Sequence, residues 1–260
     1  MDKRMDERMD DLALVQLAVR LAGAAAAEIL AIREAGFSVQ HKTDLSPVTL
    51  ADQRAEQIIL EGLRAATDIP VIAEEEVSAG KITEPGHEYW LVDPLDGTRE
   101  FAAGRAEFAV NIGLVRGNRA VLGAVANPLS HEIHYGIVGV GAWKQSAAGI
   151  SPISARLAPV EGLTVMASRH YQDDPKLAEF LSNYKITALT NIGSALKFCK
   201  LAEGLADLYP RLGRTMEWDT AAPQAVLEAA GGSTQTFDGQ TLLYGKPGYE
   251  NPPFLCHGLR

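Results

Sequence analysis

The chain is poor in cysteine, in basic residues and in long apolar runs, and each shortage excludes a class of protein. Only Cys199 and Cys256 occur among 260 residues, with no Cys-x-x-Cys spacing. A disulfide scaffold and a thiolate metal site are thereby excluded, and Cys199 reads as a small core residue in a helix. Lys and Arg number 24 against 33 Asp and Glu, for a formal net charge of −9. A broad nucleic-acid-binding face needs clustered cations, so no nucleic acid polymer is expected as a partner. A small anionic substrate remains compatible, because carboxylates loaded with divalent cations attract phosphate whatever the net charge. No apolar run is expected to approach the roughly 20 residues that span a bilayer, so no transmembrane segment is expected. Residues 1–11 carry both signs of charge without the apolar core of a signal peptide, which points to a cytoplasmic setting.

What is present is an ordinary globular composition, 47% hydrophobic and 7% aromatic. Leu14, Leu17, Leu21, Ala25 and Ile29 recur at helical spacing through residues 11–35, with Gly36 as a stop. After a polar segment from Gln40 to Pro47, Ala51, Ala55, Ile58, Ile59 and Leu63 mark a second helix over 49–65. Apolar runs at 70–73, 89–92, 109–116, 120–126 and 132–140 read as strands of an antiparallel or mixed sheet, with a hairpin turn at Gly117-Asn118. Beyond residue 152 the rhythm alternates: strands at 163–167, 186–189 and 206–209, helices at 175–183, 193–203 and 220–230. The fold class read from this order is α/β (α+β). It has an N-terminal α+β lobe over 1–152 and a C-terminal α/β lobe over 153–260.

The most informative stretch is Asp93-Pro94-Leu95-Asp96-Gly97-Thr98, which follows the strand-like run Tyr89-Trp90-Leu91-Val92. Proline stops regular structure and glycine permits a tight turn, so the bend can gather Asp93, Asp96 and the Leu95 carbonyl around one point. An all-oxygen cluster of this kind suits Mg²⁺, and two neighbouring aspartates repel unless a cation lies between them. Three further segments place acids at element ends: Asp52 after Pro47-Val48-Thr49, the trio Glu74-Glu75-Glu76, and Asp219 in Glu217-Trp218-Asp219-Thr220-Ala221-Ala222. Taken singly, these would be an early-helix acid, a solvated charge run and an N-cap. Two other motifs carry no chemistry. In His131-Glu132-Ile133-His134 the spacing is wrong for helical zinc ligands, and Tyr135 occupies the second histidine's place. Gly136, Gly139 and Gly141 lack a following helix and a Gly-Lys-Ser/Thr end, so they read as strand-end glycines.

The set Asp93-Pro94-Leu95-Asp96-Gly97-Thr98 plus Trp218-Asp219-Thr220-Ala221-Ala222, in this order, resembles the inositol monophosphatase superfamily of Mg²⁺-dependent, lithium-inhibited phosphatases. The resemblance runs from Pro47 to Ala222. Within the superfamily, Arg99-Glu100-Phe101, Glu107 to Ile112, Gly193 to Cys199, Ala202-Glu203-Gly204 and Tyr209-Pro210-Arg211 are most similar to the CysQ-type 3′(2′),5′-bisphosphate nucleotidases. That resemblance implies a layered αβαβα sandwich and two or three Mg²⁺ ions. The implied reaction is hydrolysis of 3′-phosphoadenosine 5′-phosphate to AMP and phosphate by a metal-activated water, linked to sulfate assimilation. It implies Glu74, Asp93, the Leu95 carbonyl, Asp96 and Asp219 as metal ligands. Asp52, Glu75 and Thr98 would be catalytic: Asp52 would complete a further metal site or orient water, Glu75 and Thr98 would position the attacking water, and the Gly97 and Thr98 amides would receive the phosphate. Ser194, Lys197, Arg211 and Asp219 would contact substrate, with Ser168, Arg169 and His170 as further candidates. The triple glutamate stands where the family more usually has Glu-Glu-Asp. The same metal chemistry on inositol 1-phosphate or fructose 1,6-bisphosphate stays open, as does a catalytically silent binding protein on this fold. Also open are a monomer or homodimer, and a peripheral association with the inner membrane.

Overall fold

The computed structural model describes residues 3–41, 47–169 and 174–259. Part of the polar segment between Gln40 and Pro47, and His170, lie outside the described residues. Two helices come first, α1 (Lys3–Ala35) and α2 (Leu50–Ala66), with the short strands β1 (Val39–His41) and β2 (Pro47–Thr49) between them. Strand β3 (Val71–Ala73) leads through α3 (Glu74–Ser78) to β4 (Glu88–Asp96) and α4 (Thr98–Ala102). A meander follows: β5 (Ala109–Arg116), β6 (Arg119–Asn127), β7 (Glu132–Ile137), β8 (Gly141–Ser146) and β9 (Gly149–Ile153). Strands β3 to β9 form one seven-stranded sheet in chain order, parallel only between β3 and β4. The remaining elements are β10 (Leu163–Ser168), α5 (Pro175–Leu181), β11 (Ile186–Ile192), α6 (Leu196–Ala202), β12 (Leu208–Arg211), α7 (Glu217–Ala229), β13 (Ser233–Thr236) and β14 (Phe254–His257). Their five strands make a second sheet, ordered β11-β10-β12-β14-β13.

Alternation along the strands sorts the side chains into layers. On β4, Trp90 and Val92 face the cluster built from α1 and α2, with Val15, Ala18, Ile29, Ala55 and Ile59. Tyr89 and Leu91 point the other way, toward Trp218, Ala221 and Ala225 of α7. Helices α6 and α7 fill the space between the sheets, where Phe198, Cys199 and Val226 meet Val125 of β6 and Phe254 of β14. Leu177 and Leu181 of α5 cover the far face of the second sheet over Val165, Leu208 and Leu255. The stack is αβαβα, as the family resemblance implied.

Helix α7 sits unusually close to the first sheet because of three glycines in cross-strand register, Gly113 with Gly123 and Gly123 with Gly136. A Cβ at Gly113 would stand 2.5 Å from the Ala222 nitrogen, and one at Gly123 would stand 2.5 Å from the Ala222 oxygen. At Gly136 it would meet the Ala229 Cβ at 2.7 Å. The helix backbone thus rests on the sheet itself, which fixes the height of Asp219 in its first turn.

Several expectations need correction. From Asp11 to Ala35, α1 has 25 residues long and apolar enough to cross a membrane by length and composition, contrary to the sequence reading. Its Ala and Ile face is instead buried, with Ala18, Ala22, Ala25 and Ile29 wholly enclosed. The strand expected over 132–140 ends at Ile137, because Gly139 and Gly141 adopt positive φ (80° and 154°) and turn the chain between β7 and β8. The helix expected from 193 begins only at Leu196, since Ser194 takes φ 55° and breaks the turn before it. Helix α7 starts at Glu217 rather than 220, and Asp219 is its third residue, not its N-cap.

Candidate active site

The acidic trio after β3 folds as the short helix α3, whose N-cap residue, Ala73, offers no side-chain cap. Its turn is held from another helix. Glu56 on α2, 5% exposed, accepts hydrogen bonds from the Glu75 and Glu76 amides at 2.8 and 2.9 Å, one on each carboxylate oxygen. Glu76 faces away and pairs with Arg64 and Lys81, each at 2.7 Å. Glu74 faces inward.

Strand β4 carries Asp93 and Asp96 on a bulge that shifts its register against β5. Asp93 Oδ1 accepts the Leu95 amide at 2.9 Å, closing the bend over Pro94. Gly97 then takes φ 95°, where a Cβ would lie 2.9 Å from the Glu107 carbonyl oxygen, so only glycine fits. Together with Asp219 from α7, Glu74 and Asp93 bring carboxylate oxygens within 4.8 Å of one another. Asp96 stands outside that trio and accepts a hydrogen bond from the Ala195 amide, which ties the turn after β11 to the β4 bulge.

Electrostatics at this point are severe. Asp93 is pushed well above the usual carboxylate range by burial, then by the charges of Glu74, Asp96 and Asp219. Burial raises Asp219 to about 8, with Asp96 and Glu74 adding to it. Asp96 is pushed up to about 6 by burial, and the Lys197 cation offsets part of that. An all-oxygen donor set crowded to this degree fits a hard divalent cation, which removes the repulsion and replaces the lost hydration.

Beside the trio, Thr98 donates its hydroxyl to Asp52 Oδ1 at 2.9 Å or to the Leu95 carbonyl at 3.1 Å. The other oxygen of Asp52 is occupied by the Thr49 amide at 2.7 Å and the Thr49 hydroxyl at 2.6 Å. Burial raises the Asp52 pKa against the lowering effect of these hydrogen bonds. Glu74, Asp93, Leu95, Asp96, Gly97, Thr98, Ser194, Lys197, Arg211 and Asp219 all line one cleft of about 230 Å³; Asp52 and Glu75 lie outside its lining.

The cations on the far wall are less free than the sequence suggested. Lys197 is 2% exposed, donates to the Ser194 carbonyl at 2.5 Å and the Ile192 carbonyl at 3.3 Å, and lies over the Tyr209 ring at 5.1 Å. Burial and the neighbouring Arg211 charge bring its pKa down to about 8. Arg211 donates to the Arg214 carbonyl at 2.8 Å. Arg169 is engaged with Glu107 at 2.5 Å, and Ser168 lines the cleft. His134 on β7 is absent from the cleft lining and pairs with Glu203 at 3.0 Å, while His131 lies in the exposed turn before that strand.

Sequence reading missed Glu56. Its signal was a carboxylate one helical turn after Asp52, set within the buried stripe Ala55, Ile59, Leu60 and Leu63.

Comparison with known proteins places the chain as a whole. The family model described as "Inositol monophosphatase family" matches residues 10–255. A 3′(2′),5′-bisphosphate nucleotidase CysQ from Salmonella typhimurium is 45% identical over 215 residues, covering 82% of this chain and 86% of its own length. The crystal structure of CysQ from Bacteroides thetaiotaomicron superposes with a TM-score of 0.80 at 31% identity, covering 95% of this chain and 98% of that one. The inositol monophosphatase structure from Anabaena gives a TM-score of 0.76 at 25% identity, covering 96% and 92%.

Proposed function

The chain belongs to the inositol monophosphatase family, and we propose that within it this protein is a Mg²⁺-dependent 3′(2′),5′-bisphosphate nucleotidase. The reaction is removal of the 3′-phosphate of 3′-phosphoadenosine 5′-phosphate, giving AMP and phosphate, a step linked to sulfate assimilation in the cytoplasm. The observation that carries the chemistry is the convergence of Glu74, Asp93 and Asp219 on one point. Likeness to CysQ proteins over four-fifths of the chain supports the substrate.

Glu74, Asp93, the Leu95 carbonyl, Asp96 and Asp219 would hold two or three Mg²⁺ ions. Bound Mg²⁺ lowers the pKa of a coordinated water, neutralises phosphoryl oxygens and stabilises a leaving alkoxide. The protein's own residues supply orientation. Asp52, fixed by Thr49 through one oxygen, aims the Thr98 hydroxyl with the other. That leaves the Thr98 oxygen lone pairs to accept a hydrogen from the attacking water, with Glu75 as the second group that orients it. Asp52 is suited to receive the displaced Thr98 proton because burial has raised its pKa. The Gly97 and Thr98 amides, at the start of α4 in the cleft, receive the phosphate being transferred. Ser194, Lys197 and Arg211 line the cleft toward the remainder of the substrate, with Lys197 held in place by the Ile192 and Ser194 carbonyls.

Product analysis tests this reading. Incubation with 3′-phosphoadenosine 5′-phosphate and Mg²⁺ yields AMP and one equivalent of phosphate, and chelation stops the reaction until Mg²⁺ is returned. Formation of adenosine 3′-phosphate, or undiminished turnover in chelator, contradicts it.

A further inference from the structure

We infer that Glu56 is a positioning residue for the metal site, holding the Glu74–Glu75 turn against the repulsion of the carboxylates it faces. The inference rests on the metal reading of the Glu74, Asp93 and Asp219 cluster and goes beyond it by assigning the element that keeps the cluster assembled.

Three observations meet at this residue. Glu56 is 5% exposed, and both its oxygens are used on consecutive backbone amides, Glu75 at 2.8 Å and Glu76 at 2.9 Å. A carboxylate buried among Ile59, Leu60 and Leu63 costs free energy unless it is fully hydrogen-bonded, so these two bonds are its justification in the core. Second, the turn it holds has no cap of its own, because Ala73 precedes it. Third, that turn carries Glu74, whose carboxylate lies within 4.8 Å of Asp93 and Asp219. Like charges at this separation push α3 outward, and α3 is only five residues long. The Glu76 pairs with Arg64 and Lys81 and the packing of Val77 also hold α3, but the Glu56 bonds grip the backbone of its first turn, next to Glu74.

Asp52 and Glu56 then form a pair. They lie four residues apart on α2 and act in the same direction, Asp52 on the Thr98 hydroxyl and Glu56 on the α3 amides. One rigid helix therefore sets the distance between the water-orienting hydroxyl and the Glu74 ligand. Groups that orient ligands from outside the coordination sphere commonly set metal affinity by about 10–100-fold.

The test is Mg²⁺ binding to chelator-stripped protein by titration calorimetry, with Mg²⁺-dependent phosphate release measured in parallel. Glu56→Ala removes both bonds and should weaken Mg²⁺ binding by about tenfold or more. The Mg²⁺ concentration for half-maximal rate should rise with it, while KM for the nucleotide at saturating Mg²⁺ stays within about twofold. Glu56→Gln preserves shape and one acceptor, so it should fall between wild type and Glu56→Ala and keeps the test open if the alanine variant does not fold. Unchanged Mg²⁺ affinity in a folded variant, with only the melting temperature lowered, reduces Glu56 to a structural role and overturns the inference. Absence of Mg²⁺ binding by the wild-type protein is a separate result: it overturns the metal reading of the site, and the inference with it.

Discussion

Asp96 and Asp219 hold their protons to about 6 and about 8, far above the pH near 4 at which an unfolded aspartate releases its own. A group whose folded pKa is raised binds protons on folding, so the metal-free protein loses stability as pH rises from about 4 toward 8. Cation binding needs the same carboxylates ionised and therefore releases those protons. The expected outcome is that the Mg²⁺ concentration giving half-maximal rate falls between pH 6 and pH 8, by up to about tenfold per pH unit for each proton displaced, then levels off. The stabilisation given by Mg²⁺ in thermal melts should grow over the same interval. A half-maximal Mg²⁺ concentration independent of pH would show that these carboxyls are not displaced by the cation.

At the scale of elements, α7 brings Asp219 to the site, and its seat on the glycine row Gly113, Gly123 and Gly136 decides where that carboxylate lies. Gly123→Ala places a methyl 2.5–2.6 Å from the Ala222 oxygen and Cα, which are backbone atoms and cannot rotate away. The variant should lose about 1–3 kcal/mol of stability through overpacking. Because the helix must lift, its Mg²⁺ requirement should also increase. A variant that melts early yet keeps wild-type Mg²⁺ dependence would separate the helix seat from the site. These glycines also mark where sequence reading stopped. The inward acids stood out because each ends a strand or opens a helix in a short motif. A glycine's partner across the sheet has no local signature. Strands β13 and β14 escaped for a related reason: Ser233–Thr236 is polar, and Phe254–His257 is four residues long. Helix α3 is not legible as a helix in the sequence because the bonds that hold its start come from Glu56, about 20 residues earlier.

Across the whole molecule, the five layers share one central pair of helices. β9 ends at Ile153 and β10 begins at Leu163, so the link between the sheets lies there, yet α7 from the later half completes the core beneath β4, β5 and β6. The acids of β4 and α3 and the cations of α6 and β12 therefore face one another across a cleft whose walls come from both sheets. The similar proteins are named for different phosphate esters, a 3′(2′),5′-bisphosphate nucleotide and inositol monophosphate. The most direct measurement is phosphate release with saturating Mg²⁺ from 3′-phosphoadenosine 5′-phosphate, inositol 1-phosphate and fructose 1,6-bisphosphate side by side. A kcat/KM for the nucleotide at least about a hundredfold above the other two, equivalent to about 2.7 kcal/mol of transition-state discrimination, is the predicted result. Equal or greater kcat/KM on inositol or fructose phosphate would contradict the nucleotidase assignment while leaving the carboxylate site intact.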